Sequence, residues 1–331
     1  MKKKHSIYYW ASDFRNNTGE GVLANYFLSD IRKYYENSIL ININKNNNNY
    51  HTFYSKYFLN FFGAIKLWNY YFLKKKIIYI NYLPIWNFLI FLILPPKTIL
   101  GPITGSLVYN KHSLSDTLLR GLILNIFKNI SLFLIFLRQK KVLFSTELLK
   151  YGIKRERLKR CYFNYALKIF SGFSLAKNKK DIDFLIYHRI HKNKNNTMLE
   201  YFIKNTLNKN YKIVVVGDPI NSKNVHNIGY INRKKLKKLL ANTKYTFGSS
   251  ENLYTLFLLD AISSDVFIFY DKRLKIFNTQ IKYSKMVAID FNDKLRSLKF
   301  VFKNINNPIS FKNKNYFKKI NYDKYFNQYI Q

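Results

Sequence analysis

Two cations stand five positions apart in Arg189-Ile-His-Lys-Asn-Lys194, just beyond the apolar run Phe184-Leu-Ile-Tyr187. A guanidinium offers a forked contact and an ammonium a point charge, so the pair can converge on one diphosphate. The competing reading is two solvated charges in a Lys-rich loop that also holds Lys192. Farther along, Ser249-Ser250-Glu251-Asn252 gives a helix start with an N-cap and unpaired N–H groups, and Asp260 follows on that helix. A carboxylate there can accept two neighbouring hydroxyls, or serve as an ordinary polar residue one turn from Leu256 and Phe257. In the first half, Gly19-Glu20-Gly21 opens a helical pattern. Glycines there let the backbone approach an anionic ligand, or simply permit a tight turn. Gly101-Pro102-Ile103-Thr104-Gly105 closes a strand; Thr104 and Gly105 line a second ligand or belong to a structural loop. Asp13, Glu20 and His112 are the N-terminal groups able to act as a general base.

Other constellations point away from metals. Asp181-Ile-Asp183 mimics a metal-binding Asp-x-Asp but precedes a strand instead of ending one, so it reads as a linker-to-strand junction. His188 and His191 lack a third zinc partner, which leaves hydrogen bonding to a ligand or plain surface exposure. The single cysteine, Cys161, excludes a disulfide framework and a Cys-based zinc site. No metal and no cofactor are expected. The aromatic stretch Tyr50 to Phe72, with Lys56 and Lys66 interleaved, superficially resembles a nucleic-acid platform, but its spacing suits a helix core better.

The elements that must position these residues alternate along the chain. Ser6 to Ala11, Lys76 to Tyr82, Thr98 to Leu100 and Val142 to Thr146 read as buried strands, with a helix from Val22 to Ile31. A second series runs from strand Asp183 to Tyr187 through helix Thr197 to Leu207, strand Tyr211 to Val216, helix Arg233 to Ala241, strand Tyr245 to Gly248, helix Leu253 to Ser263 and strand Val266 to Tyr270. Two such series predict two doubly wound parallel α/β domains facing a cleft. The expected boundaries are 1–170, 171–310, and a C-terminal helix over 311–331 that crosses back to the first domain; the linker lies near Lys168 to Lys180.

Composition bounds the partners. The 331 residues are 48% apolar and 18% aromatic, enough for a sizeable core. The net charge of +38 is spread over nearly all segments, and Lys, Asn, Ile, Tyr and Phe share A/T-rich codons, which weakens the usual inference to a nucleic-acid partner. Ile7 to Trp10 is too short for a signal-peptide core, so a cytoplasmic protein is expected. Leu83 to Leu94 is interrupted by Asn87 and stopped by Pro95-Pro96; Leu118 to Leu137 carries Arg120, Asn125, Lys128 and Asn129. Neither spans a bilayer. The second is either a core-facing helix with a solvated charged end or an amphipathic helix lying on an anionic inner membrane face through Lys128, Arg138, Lys140 and Lys141.

Five stretches, in order, carry a resemblance to GT-B glycosyltransferases, above all the large retaining nucleotide-sugar family (glycosyl transferases group 1). Val142 to Tyr165 is similar to a family stretch that ends near an Asn, here Asn164. Asp183 to Arg189 with Lys194 resembles a strand ending in Gly-Arg-Leu with a Lys five residues after the Arg. Val214-Val-Val-Gly217-Asp218 followed by Val225 to Tyr230 resembles the next pair of strands, and Arg233 to Ser250 the helix and strand after them. Leu258-Leu-Asp260-Ala-Ile-Ser-Ser-Asp-Val266 is similar to "L-L-E-A-M-A-x-G-V-P-V", with Asp260 on the second family Glu. The resemblance implies Arg189 and Lys194 on the donor diphosphate, Asp260 on the ribose, and Gly19, Gly21, Gly217, Ser250 and Asn252 around the donor. The first family Glu stands eight positions before the second; here Asn252 occupies that place and Glu251 lies nine before Asp260. Ser-Glu-Asn followed by Tyr254 and Thr255 also resembles the Glu-Asn motif of inverting fucosyltransferases. Transfer of a sugar from a nucleotide-diphosphate donor to a hydroxyl of a surface polysaccharide or lipid-linked glycan is therefore expected, with the stereochemical outcome open. The rival readings are a basic nucleic-acid-binding protein and a catalytically inactive GT-B scaffold.

Overall fold

A computed structural model describes residues 6–16, 18–35, 37–41, 53–105, 122–150, 152–170, 180–190, 197–250, 252–277, 280–306 and 321–327, with backbone alone for 53–57 and 276–277. The chain divides into two compact units. Unit 1 takes Met1–Ser106, Lys111–Ile169 and Ile320–Gln331; unit 2 takes Phe170–Lys319 with Leu107–Asn110.

In unit 1, β1 (Ile7–Trp10), α1 (Gly19–Arg32), β2 (Ser38–Leu40), α2 (Phe53–Phe72), β3 (Lys76–Tyr79), α3 (Phe88–Ile93) and β4 (Ile99–Leu100) alternate. The strands form one parallel sheet in the order β2-β1-β3-β4. After α4 (Leu124–Arg138), β5 (Val142–Leu143) pairs in parallel with β6 (Cys161–Tyr162), and α5 (Arg155–Leu158) lies between them. A parallel bridge from Ile103 to Phe144 ties this pair to the chain leaving β4. Helices α2, α3 and α4 cover one face of the sheet. Their inward residues Leu67, Ile90, Phe91, Leu132, Ile135 and Phe136 share a core with Trp10 and Tyr79. The approach is close: a Cβ on Gly63 of α2 would overlap the Trp10 indole.

Unit 2 is built from β7 (Ile182–His188), α6 (Thr197–Lys204), β8 (Ile213–Gly217), β9 (Val225–Gly229), α7 (Arg233–Ala241), β10 (Thr243–Phe247), α8 (Leu256–Ser263), β11 (Phe267–Asp271), β12 (Met286–Ile289) and α9 (Lys294–Asn306). All six strands are parallel, in the order β12-β11-β10-β7-β8-β9. Strands β7, β8 and β11 are almost wholly buried and carry the apolar runs Phe184 to Tyr187, Ile213 to Val216 and Phe267 to Tyr270, as sheets covered on both faces do. The chain winds outward from β7 through β8 and β9, then returns to β10 on the other side of β7, which creates a switch point between β7 and β10.

The last described segment belongs to unit 1. Helix α10 (Asp323–Phe326) and Tyr322 pack there: the Tyr322 hydroxyl donates to the Phe163 carbonyl at 3.0 Å and the Tyr325 hydroxyl to that of Leu100 at 2.8 Å. Phe326 lies against Phe27 and Tyr34.

Candidate functional site

The carboxyl edge of the unit 2 sheet gathers residues far apart in sequence. Beyond β7 comes Arg189, exposed; beyond β8, Asp218; beyond β9, Tyr230; beyond β10, Gly248-Ser249-Ser250 and then the amino end of α8. Thr255 caps that helix, accepting from the Leu258 N–H at 3.2 Å, and Asn252 accepts from the Tyr254 N–H at 2.8 Å in a turn that leads into it. The first N–H groups of α8 therefore open at the switch point, on the edge where Arg189 stands, a combination suited to phosphate oxygens. Ser250, only 8% exposed, is part of the wall.

Next to Arg189 lies a small polar network. The Asp218 carboxylate accepts from the Ile190 N–H at 2.6 Å and from the Tyr230 hydroxyl at 2.7 Å. Those two bonds and the nearby Arg189 charge hold its carboxyl below the ordinary carboxylate range. His188 is buried, with Nδ1 2.9 Å from the Asp218 carbonyl, so the surface-exposure reading of that histidine does not hold. Gly217 has φ +102°, and a Cβ there would overlap the His188 carbonyl oxygen; strand packing at β7 and β8 is what demands glycine.

Asp260 is arranged differently from its sequence reading. It is the fifth residue of α8, 1% exposed, and its two oxygens take a fork from Arg233 at 2.7 and 2.8 Å, with the Lys237 ammonium at 3.5 Å. The carboxylate joins α7 to α8 instead of standing at the sheet edge, and the fork that would have met a ribose meets Arg233. Sequence reading missed Arg233, Asp218 and Tyr230. Signals exist in retrospect: Arg233 is the one arginine in the Lys-rich run Arg-Lys-Lys-Leu-Lys-Lys-Leu-Leu, and Asp218 and Tyr230 each follow a strand-ending glycine.

In unit 1 the carboxyl edge holds Asp13, Gly19, Gly21, Thr104 and Gly105. Asp13 is not disposed as a base. Its carboxylate accepts from the Arg15 N–H at 2.8 Å, from Arg15 Nε and Nη2 each at 3.0 Å, from the Thr18 hydroxyl at 2.8 Å and from the Tyr82 hydroxyl at 3.3 Å. Burial works to raise its pKa, but the Arg15 and Thr18 bonds outweigh it and hold the carboxyl below its usual value. Thr18 caps α1 by accepting from the Gly21 N–H at 3.1 Å. A Cβ on Gly21 would overlap the Arg15 carbonyl, so this glycine serves loop packing, whereas Gly19 has nothing within 4 Å of its Cβ position. Thr104 is tied by its backbone to Leu83 and Ile85, and Gly105 abuts Leu149. Glu20 sits in the first turn of α1, where its charge favours the helix amino end.

Asp183 lies at the opposite, amino edge of unit 2, bonded to the Lys212 N–H at 2.9 Å and to Lys244 Nζ at 2.8 Å. That is the linker-to-strand junction the sequence indicates. Lys194, Glu251, His112 and His191 lie outside the described residues.

No protein-family model matches the chain, and no curated protein matches it in sequence. Solved structures do. Sucrose-phosphate synthase from Thermosynechococcus elongatus is similar at 12% identity and a TM-score of 0.54, covering 92% of this chain and 90% of that one. A glycosyltransferase from Rickettsia africae (11% identity, TM-score 0.47, 91% and 89% covered) and a protein named as a UDP-N-acetylglucosamine 2-epimerase from Listeria monocytogenes (8%, 0.48, 92% and 89%) are more distant. The fold is thus GT-B in type, two doubly wound parallel α/β units, as the sequence resemblance implies.

Proposed function

We propose that this chain is a glycosyltransferase that moves a sugar from a nucleotide-diphosphate donor to a hydroxyl of a surface polysaccharide or lipid-linked glycan. One observation carries the reading: Arg189 and the amino end of α8 share the carboxyl edge of unit 2 at the β7/β10 switch point. As the glycosidic bond breaks, negative charge grows on the departing diphosphate, and a fixed guanidinium with oriented N–H groups stabilises that charge more in the transition state than in the ground state. Lys194 is assigned to the same diphosphate. Glu251 and Asn252 are assigned to the sugar, and Gly217 and Ser250 to the donor's surroundings. Asp260 acts through Arg233 as a positioning residue for α8. On the retaining course that the family resemblance implies, the departing diphosphate itself takes the acceptor proton; on an inverting course Glu20 or His112 would take it, since Asp13 is committed to Arg15 and Thr18. Thr104, Gly105 and His112 stay assigned to the acceptor. No metal or cofactor enters this proposal.

The scaffold reading keeps two specific supports: Asn252 stands where the family has a carboxylate, and Asp260 is engaged by Arg233. Calorimetric titration with UDP-, GDP- and ADP-sugars separates the readings. The expected result is binding of one donor class and transfer to an acceptor, with Arg189→Ala lowering turnover by about 10²-fold. Binding without transfer to any acceptor favours the scaffold. Random DNA outcompeting every nucleotide sugar at physiological salt would overturn the enzyme reading.

A further inference from the structure

The helices that cover one face of the unit 1 sheet are apolar on both sides. Their inner faces fill the core, as described. On the outer side α2 exposes Phe62, Ile65 and Phe72, spaced to fall on one stripe, with Phe72 at 71%. On α4, Ile130, Phe133 and Leu137 form a second stripe, with Leu137 at 70% exposed. Between them α3 contributes Leu92, half exposed. The three helices touch in sequence: Trp68 Nε1 of α2 donates to the Ile93 carbonyl at 2.7 Å, and Phe88 of α3 meets Phe127 of α4. The stripes thus belong to one surface, and an outer apolar face of this extent on a helix layer marks an interaction site.

What covers it is indicated by charge. The turns after α2, α3 and α4 carry Lys74-Lys75, Lys97 and Lys140, all exposed. Each turn leads directly into β3, β4 or β5, which run parallel, so the four lysines rim the layer along the amino edge of the sheet. Lys66 Nζ lies 4.9 Å from the centre of the Phe62 ring, its stem along the apolar surface. Between Glu36 and Glu147 the sequence holds a single acidic residue, Asp116. A broad apolar face with a cationic rim matches the boundary between acyl chains and anionic headgroups. Among the described residues no helix is long and apolar enough to cross a membrane.

We infer that the outer face of the α2–α3–α4 layer docks on an anionic lipid bilayer, with Phe72, Phe133 and Leu137 inserted and Lys74, Lys75, Lys97 and Lys140 on the headgroups. The contact differs from the one expected from sequence. Arg138 does not face lipid: its guanidinium donates to the Phe91, Leu92 and Leu94 carbonyls and closes the end of α3. Lys128 is half-buried against Gly152, and Lys141 donates to the Lys324 carbonyl at 2.6 Å. The inference does not depend on the donor proposal, because every residue it uses lies in unit 1.

Flotation of the full chain with phosphatidylcholine vesicles, with and without phosphatidylglycerol, tests it. The expected result is salt-sensitive binding to the phosphatidylglycerol vesicles. The double variant Phe133→Asp/Leu137→Asp should lower the bound fraction about tenfold or more while circular dichroism and nucleotide-sugar binding stay unchanged. Phe72→Asp, on a different helix, supplies a second reading if the double variant misfolds. Replacing Lys74, Lys75, Lys97 and Lys140 by Gln should weaken binding and flatten its salt dependence. Absence of vesicle binding, unchanged binding in the Phe133, Leu137 and Phe72 variants, or a wild-type dimer that these variants turn into a monomer would overturn it.

Discussion

Asp13 shows how residue type and residue role separate. A carboxylate at a strand's carboxyl end has the chemistry of a base, yet here it organises the loop between β1 and α1 through Arg15, Thr18 and Tyr82. Its folded-state pKa lies below the ordinary value of 3.8, so its stabilising contribution is complete above the usual carboxylate range and is lost as pH falls through the lowered value. Asp13→Asn should therefore cost about 1–3 kcal/mol at neutral pH, read by urea denaturation. The difference from the wild type should shrink as the solution is acidified. The position of Arg189 at the carboxyl end of a strand was legible because it closely follows the apolar run Phe184 to Tyr187. Asp260 was misplaced because its partner, Arg233, is 27 positions away and hidden in a lysine run. Pairing across helices leaves no periodic trace in a sequence.

Among elements, β7, β8 and β11 of unit 2 were legible because both sheet faces are covered there and each strand carries an apolar run, Phe184 to Tyr187, Ile213 to Val216 and Phe267 to Tyr270. Helix α7 was found at its observed bounds, Arg233–Ala241, since its amphipathic pattern and Asn232 N-cap agree. Strand β12, with its residues mostly half-buried, and α9 went unread. The α2 sequence reads as a core helix, but Phe58, Phe62 and Phe72 face outward; apolar residues on every side of a helix signal burial without saying in what. The Arg233–Asp260 pair, in which the carboxylate is 1% exposed, ties α7 to α8 together with Lys237. Asp260→Asn should cost about 3–5 kcal/mol of stability, because it strands a largely covered guanidinium. The double variant Arg233→Met/Asp260→Leu should recover most of that loss in chemical denaturation, and nucleotide affinity should follow stability. A double variant that is stable and yet binds no nucleotide would instead give Asp260 a direct ligand contact.

For the whole molecule, two doubly wound units were legible from two alternating series, and the third element of the plan is the segment around α10. Tyr325 and Phe326 are 1% and 2% exposed within unit 1, beside Phe27 and Tyr165. Removing residues 321–331 should open that core and lower the thermal stability of unit 1 selectively. Hydrogen exchange should show lost protection in α1 and β4 while β7, β8 and β11 keep theirs. This arrangement also orders events in time. A growing polypeptide emerges from the ribosome with residues 6–169 first, yet those residues lack two of the aromatic side chains that close their own interior until everything in unit 2 has been synthesised. The second unit has all of its residues by Lys319 and can finish folding while the first still waits for Tyr325 and Phe326, the reverse of the usual amino-to-carboxyl progression.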